Sequence, residues 1–259
     1  MKFTDQINHI VSLPHIPKRI VSVVPSQTEL LFELGLEEEV VGITKFCVHP
    51  PAWFRSKTRV GGTKNLNLQK IEALQPDLII ANKEENTEAE IKYLQQKFPV
   101  WTSDIATLHD SLNMIKSLGD LTNTAIKAQQ LIHNIQQEFD TYRHQFKQTA
   151  TALYLIWQAP YMSVGKDTII HHLMEYAGLK NVMSNALRYP EISEEEMRQL
   201  QPDFILLSSE PYPFKEKHVT AFQQLFPNSK VLLVDGELFS WYGARLQYAP
   251  KYFFELFVE

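Results

Sequence analysis

The sequence predicts an α/β fold: two Rossmann-like lobes with parallel sheets, joined by one long helix. Three observations predict it. A phrase occurs twice, as Leu74-Gln75-Pro76-Asp77-Leu78-Ile79-Ile80 and as Leu200-Gln201-Pro202-Asp203-Phe204-Ile205-Leu206. Each copy sits between two further echoes in the same order: Leu31-Phe32-Glu33-Leu34-Gly35-Leu36 and Leu173-Met174-Glu175-Tyr176-Ala177-Gly178-Leu179 before it, Phe98-Pro99 and Phe226-Pro227 after it. Between the copies, Ala125, Ala128, Ile132, Ile135, Phe139, Tyr142 and Phe146 alternate steps of three and four, the stripe of one long helix. About 25 such residues span roughly 37 Å. The division expected is an N-terminal lobe 1–120, a connecting helix 121–148 and a C-terminal lobe 149–259. Two such lobes leave a cleft where a small molecule binds.

Residues 7–17, broken by Pro14 and Pro17, read as an extended arm. The run 19–24 is a buried strand stopped by Pro25, and Ser26 with Glu29 has the spacing of a capping box. The helix 27–34 closes at Gly35, a C-cap residue. Residues 40–43 form the next strand, and 45–64, with Pro50-Pro51 and Gly61-Gly62, read as a long functional loop. Asn67 caps a short helix before the strand 78–81. A helix 88–96 and a strand 100–101 follow. The second lobe repeats the scheme: strand 152–157, loop 158–166, helix 168–176 closed by Gly178, a helix capped by Ser193, strands 204–207 and 231–234, and a closing helix 248–257. On such sheets ligands bind beyond the strand C-termini, which here lead into Pro25-Ser26, the Phe46 loop, Asn82, 158–163, 208–212 and 235–245.

Net charge is −5, so there is no basic footprint for nucleic acid. No apolar run approaches the roughly 20 residues of a membrane helix. Cys47 is alone, so no internal disulfide forms. The first residues carry no apolar leader segment, which predicts a cytoplasmic protein if Met1 is the native start.

The opening Arg19-Ile20-Val21-Ser22-Val23-Val24-Pro25-Ser26-Gln27-Thr28-Glu29-Leu30 resembles the first strand and helix of the helical-backbone (class III) substrate-binding proteins of ABC importers. The pattern N-L-x-x-I-x-x-L-x-P-D-L-I-I at 67–80, Ser163-Val164-Gly165-Lys166 and Trp241-Tyr242-Gly243-Ala244-Arg245 resemble that family too, over nearly the whole chain. Within it, P-x-x-T-E-L, the loop V-G-I-T-x-[aromatic]-x-x-x-P-P and Arg188-Tyr189-Pro190-Glu191-Ile192-Ser193 look most like the vitamin B12-binding branch. The resemblance implies a bilobed class III periplasmic-binding-protein fold and no catalysis. It implies a corrinoid or other metal chelate as bound ligand and no intrinsic cofactor. An ABC-importer permease is the implied partner, the implied location is periplasmic or cell-surface, and the implied state is monomeric. Carried over by position, Phe46, His49, Tyr161 and Tyr189 meet the corrin ring, with His49 a candidate axial contact to its metal. Trp241 and Arg245 meet the ligand's amides, and Ser26, Thr63 and Asn82 complete the set. Thr63 and Asn82 stand where that branch often has tryptophan. Permease docking maps onto Glu195 in the second lobe and Gln69 in the first, with Glu72 one turn on; Gln69 cannot form an ion pair.

Independently of the resemblance, a large flat amphipathic ligand needs rigid aromatic faces and a few donors such as Arg245. Cys47 and His49 read either as a soft metal pair or as a half-buried thiol beside a solvated histidine; a zinc site needs about four ligands and no second cluster supplies them. His171 and His172 point about 100° apart on a helix and read as exposed. Asp235, Glu237 and Arg245 read as a ligand-facing polar group or as ordinary ion pairs. Haem or a ferric siderophore is the alternative ligand. A cytoplasmic chelate-handling protein and a tetrapyrrole metal chelatase are the alternative roles.

Overall fold

Both copies of the L-Q-P-D phrase fold alike. In the computed structural model, which describes residues 1–146 and 150–258, Asn67 and Ser193 cap seven-residue helices, Leu68–Leu74 and Glu194–Leu200. Each cap accepts a hydrogen bond from the third helical N–H, Lys70 or Glu196. Each helix ends on a left-handed glutamine, Gln75 at φ 45° and Gln201 at φ 43°. The aspartate that follows anchors a neighbouring strand. Asp77 accepts from the Lys18 and Arg19 N–H groups, both at 2.8 Å. Asp203 accepts from the Thr151 N–H and hydroxyl, both at 2.7 Å.

The chain divides into two compact units, one of Met1–Asp104, His109–Asn134 and Tyr242–Ala244, the other of Ile105–Leu108, Ile135–Trp241 and Arg245–Glu259. Among the described residues the first unit holds a parallel sheet ordered Thr58–Arg59, Val40–Ile43, Ile20–Ser22, Leu78–Asn82, Val100–Ser103. The second holds a parallel sheet ordered Leu179–Asn181, Ala150–Leu155, Phe204–Ser208, Lys230–Val234. Leaving out the edge strand Thr58–Arg59, both sheets place their strands second, first, third, fourth in chain order, so the three sequence echoes mark one repeated topology. The central strands are continuous apolar runs because helices cover both faces. Ile79 and Ile205, at the same place in the phrase, are fully buried.

Several elements differ from the sequence expectation. The first helix is Pro25–Glu33; proline occupies its first turn, which needs no N–H donor, so Val24 is the cap and Ser26 lies inside the helix. The arm pairs, Lys2–Thr4 running antiparallel to Ile10–Ser12. The expected loop 45–64 contains a helix, Pro51–Ser56, because Pro51 starts it rather than breaking it. The helical stretch before the second sheet is two helices, Leu108–Leu121 and Ala125–Arg143, parted at Asn123 with φ 58°. The second has 19 residues, against about 25 expected. Of the expected stripe, Ala128, Ile135 and Phe139 are buried, Ala125, Ile132 and Tyr142 are half-buried, and Phe146 lies beyond the helix end. Residues 147–149, which include the end of the expected connector and the start of the expected second lobe, lie outside the described residues, as does 259. Among the described residues no helix is long and apolar enough to cross a membrane.

Candidate functional site

Every residue expected to touch ligand falls at or beyond the C-terminal end of a sheet strand in its own unit, where open α/β sheets place binding groups. In the first unit these are Ser26, Phe46, His49, Thr63 and Asn82. Ser26 is buried in the first turn of Pro25–Glu33. Phe46 is 51% exposed, with Lys45 Nζ 5.0 Å from its ring centroid. His49 and Thr63 are half-buried. Asn82 is buried, and its side chain is spent on the fold. Its Oδ1 accepts from the Glu84 and Glu85 N–H groups at 2.8 and 2.9 Å, and its Nδ2 donates to Ser103 Oγ at 3.0 Å. Asn86 Nδ2 donates to the Thr63 carbonyl at 3.0 Å, tying the Thr63 loop to the same turn.

Cys47 is fully buried beneath Thr28 Oγ1 at 3.0 Å and Thr44 Oγ1 at 3.1 Å, not half-buried under aromatics. Burial pushes its thiol up to about 11, with the threonine bonds opposing. It presents no sulfur toward a ligand beside His49.

In the second unit the chain after Ala150–Leu155 turns back so that Tyr161 and Tyr189 lie on paired segments. Ile192 N–H donates to the Tyr161 carbonyl at 3.0 Å, and Ser163 N–H to the Pro190 carbonyl at 2.9 Å. Both tyrosines are half-buried, and Tyr161 packs edge-on against Phe222 at 5.4 Å. Burial, then Glu194, raises the Tyr161 pKa. Trp241 is nearly buried. Arg245 lies over its ring, 4.9 Å from the centroid, and pairs with Glu237 Oε2 at 2.9 Å. The polar trio of Asp235, Glu237 and Arg245 thus contains an internal ion pair. His171 is buried rather than exposed, its Nδ1 3.1 Å from Asn181 Nδ2, because its helix packs against Leu179–Asn181. Its neighbour His172 is half-buried.

Sequence reasoning missed two aromatics here. Trp157 is 40% exposed and meets Tyr212 edge-on at 5.7 Å. The signal was present, since Trp157 directly follows an apolar strand run, but it was counted within the strand. It also missed a part-buried pair in the first unit, where the buried Tyr242 hydroxyl donates to Glu85 Oε1 at 2.6 Å. Among the described residues no three of His, Cys, Asp and Glu gather in a way that holds a metal ion.

The expected docking residues occupy equivalent positions, Gln69 and Glu195 each being second in its short helix. Glu195 is exposed and accepts only from Gln199 at 3.2 Å among the bonds seen. Glu72 is held within the fold by Lys97 Nζ and the Tyr93 hydroxyl, both at 2.7 Å, and Lys97 holds its carboxyl below the usual range.

The family model for periplasmic binding proteins matches residues 20–228. A vitamin B12-binding protein of Pectobacterium carotovorum is 27% identical over 91% of this chain and 87% of its own length. The crystal structure of the periplasmic vitamin B12 binding protein of Vibrio cholerae has a TM-score of 0.81 at 23% identity, covering 93% of this chain and 96% of that one. A periplasmic haem binding protein of Pseudomonas aeruginosa also reaches 0.81 at 21% identity, covering 93% and 92%. At these identities the two structures share the fold. With a repeated four-strand topology and a family match over most of its length, the chain belongs to the periplasmic binding protein family.

Proposed function

We propose that this chain is a non-catalytic binding protein for a corrinoid, cobalamin-like ligand that it delivers to an ABC importer. The observation that carries the reading is that each unit carries partly exposed aromatic side chains beyond its own strand C-termini: Phe46 in one unit, Trp157, Tyr161 and Tyr189 in the other. Rigid rings cover a flat macrocycle at small entropic cost. The vitamin B12-binding relative, aligned over nine-tenths of the chain, supports the same ligand. In this reading Phe46, Tyr161 and Tyr189 meet the ring and His49 approaches its metal. Arg245 and Trp241 meet the amide arms. Ser26 and Thr63 border the ligand, and Asn82 holds the loop that carries Glu84 and Glu85. Cobalamin is cargo, and the protein has no cofactor of its own. Delivery takes place outside the cytoplasmic membrane. The permease meets Glu195 through an ion pair, and on the other unit it meets the neutral Gln69, since Glu72 is already paired.

Titration of the purified protein with cyanocobalamin, read by tryptophan fluorescence and calorimetry together, tests this. One-to-one binding below micromolar is expected, weakened about tenfold by Phe46→Ala or Tyr189→Ala, the loss typical of a removed aromatic contact. Failure to bind cyanocobalamin, with tight binding of haem or a ferric hydroxamate, would overturn the corrinoid assignment. Thr63 and Asn82, which stand where aromatics are missing, would then be the first positions to explain it.

A further inference from the structure

Beyond the strand Phe204–Ser208 lies a half-buried carboxylate, Glu210, that none of the ligand assignments uses. Its Oε1 accepts from the Trp241 indole Nε1 at 2.9 Å and from Ser240 Oγ at 2.9 Å. The indole so held carries the Arg245 guanidinium on its face, and Arg245 is held at its far end by Glu237. Four side chains therefore form one chain of contacts: Glu210, Trp241, Arg245 and Glu237.

The turn bearing Glu210 is itself fixed. The Tyr154 hydroxyl donates to Ser208 Oγ at 3.0 Å, Ser208 Oγ donates to the Glu210 carbonyl at 2.5 Å, and the Gly236 N–H donates to Ser209 Oγ at 2.9 Å. Gly236 lets the two loops approach, because a Cβ there would stand 2.4 Å from Ser208 Oγ and 2.6 Å from Glu210 Cγ. An indole has a single N–H, so a fixed acceptor for it sets the direction in which that edge of the ring points. A guanidinium stacked on that ring takes its orientation from it. A carboxylate acceptor strengthens the bond.

We propose that Glu210 is a positioning residue: it fixes the Trp241 indole, and through it the Arg245 guanidinium, in the orientation that meets the ligand, without touching the ligand itself. The binding consequence rests on the corrinoid reading; the orientation of Trp241 does not.

The test joins cyanocobalamin titration with the indole N–H resonances of 15N-labelled protein, Trp241 being assigned by its loss in Trp241→Phe. In Glu210→Ala the Trp241 resonance shifts and exchanges faster, affinity falls about tenfold, and the thermal midpoint changes little. Glu210→Gln keeps an acceptor oxygen and restores affinity to within about threefold. In a Trp241→Phe background, Glu210→Ala has no further effect on affinity, as coupled residues require. Glu210→Asp, which draws the carboxylate back by one methylene, carries the same expectation if the alanine variant does not fold. An unchanged Trp241 resonance with unchanged affinity in Glu210→Ala overturns the inference. Wild-type protein that ignores cyanocobalamin overturns the ligand reading alone, and the indole resonance still decides the role of Glu210.

Discussion

At the strand N-termini the two units carry interchangeable parts. Asp77 and Asp203 each anchor the adjacent strand, Gln75 and Gln201 each turn left-handed before a proline, and Gly35 and Gly178 close equivalent helices at φ 81° and 76°. At the strand C-termini they differ. Beside Phe46, the first unit buries polar groups there, with Thr28 donating to Ser22, Gln27 to Ser103 and Asn82 to Ser103. The second places Trp157, Tyr161, Tyr189 and Tyr212 there, with Trp241 over Glu210. One end of each sheet is scaffold, where the repeated phrase keeps its chemistry. The other end is where the copies are free to diverge, and where ligands bind such sheets.

Paired substitutions test that division. The largest effect is expected from Ile79→Ala and Ile205→Ala, which each remove most of a fully buried side chain in the middle of a sheet. Each should cost about 3 kcal/mol in urea denaturation, and a loss in one copy several times that in the other would break the equivalence. Next come Asp77→Ala and Asp203→Ala, each losing two short bonds to strand donors, at about 1–2 kcal/mol after allowing for partial exposure. Asp203 has its carboxyl held below the usual range by the Thr151 N–H and hydroxyl. Its contribution is therefore complete above the unfolded carboxylate pKa of about 3.9 and is lost as pH falls through the lower folded value. The stability gap between wild type and Asp203→Asn should close below about pH 4 in acid titrations followed by circular dichroism. The smallest effect is a gain: Gln75→Gly and Gln201→Gly relieve left-handed backbone and should each add about 0.5–1 kcal/mol. A gain in only one copy would show that the other is compensated by its surroundings.

The repeat made the fold legible, because the L-Q-P-D phrase encodes a helix end, a left-handed turn and a strand anchor in consecutive residues. Proline hid two helix starts: Pro25, which stops a strand, and Pro51, which sits in an expected loop, each begin a helix. Of the candidate site, the residues that lie directly after strands could be named from chain order alone. Glu210 could not, because its partners Ser240 and Trp241 lie thirty and thirty-one residues away and no periodicity joins them. Nor could the difference between Asn82 as a ligand group and Asn82 as the clasp of its own loop, which depends on Ser103, twenty-one residues away, meeting the same side chain that Glu84 and Glu85 donate to.

The burial of Cys47 has a practical consequence. With its thiol raised to about 11, the group stays protonated at neutral pH, and that sulfur is sealed from solvent. The native protein should pass through an oxidising compartment without cross-linking to other chains. A cysteine introduced at an exposed position such as Gln69 should then take a maleimide dye alone, giving a singly labelled protein with no need to remove the natural thiol.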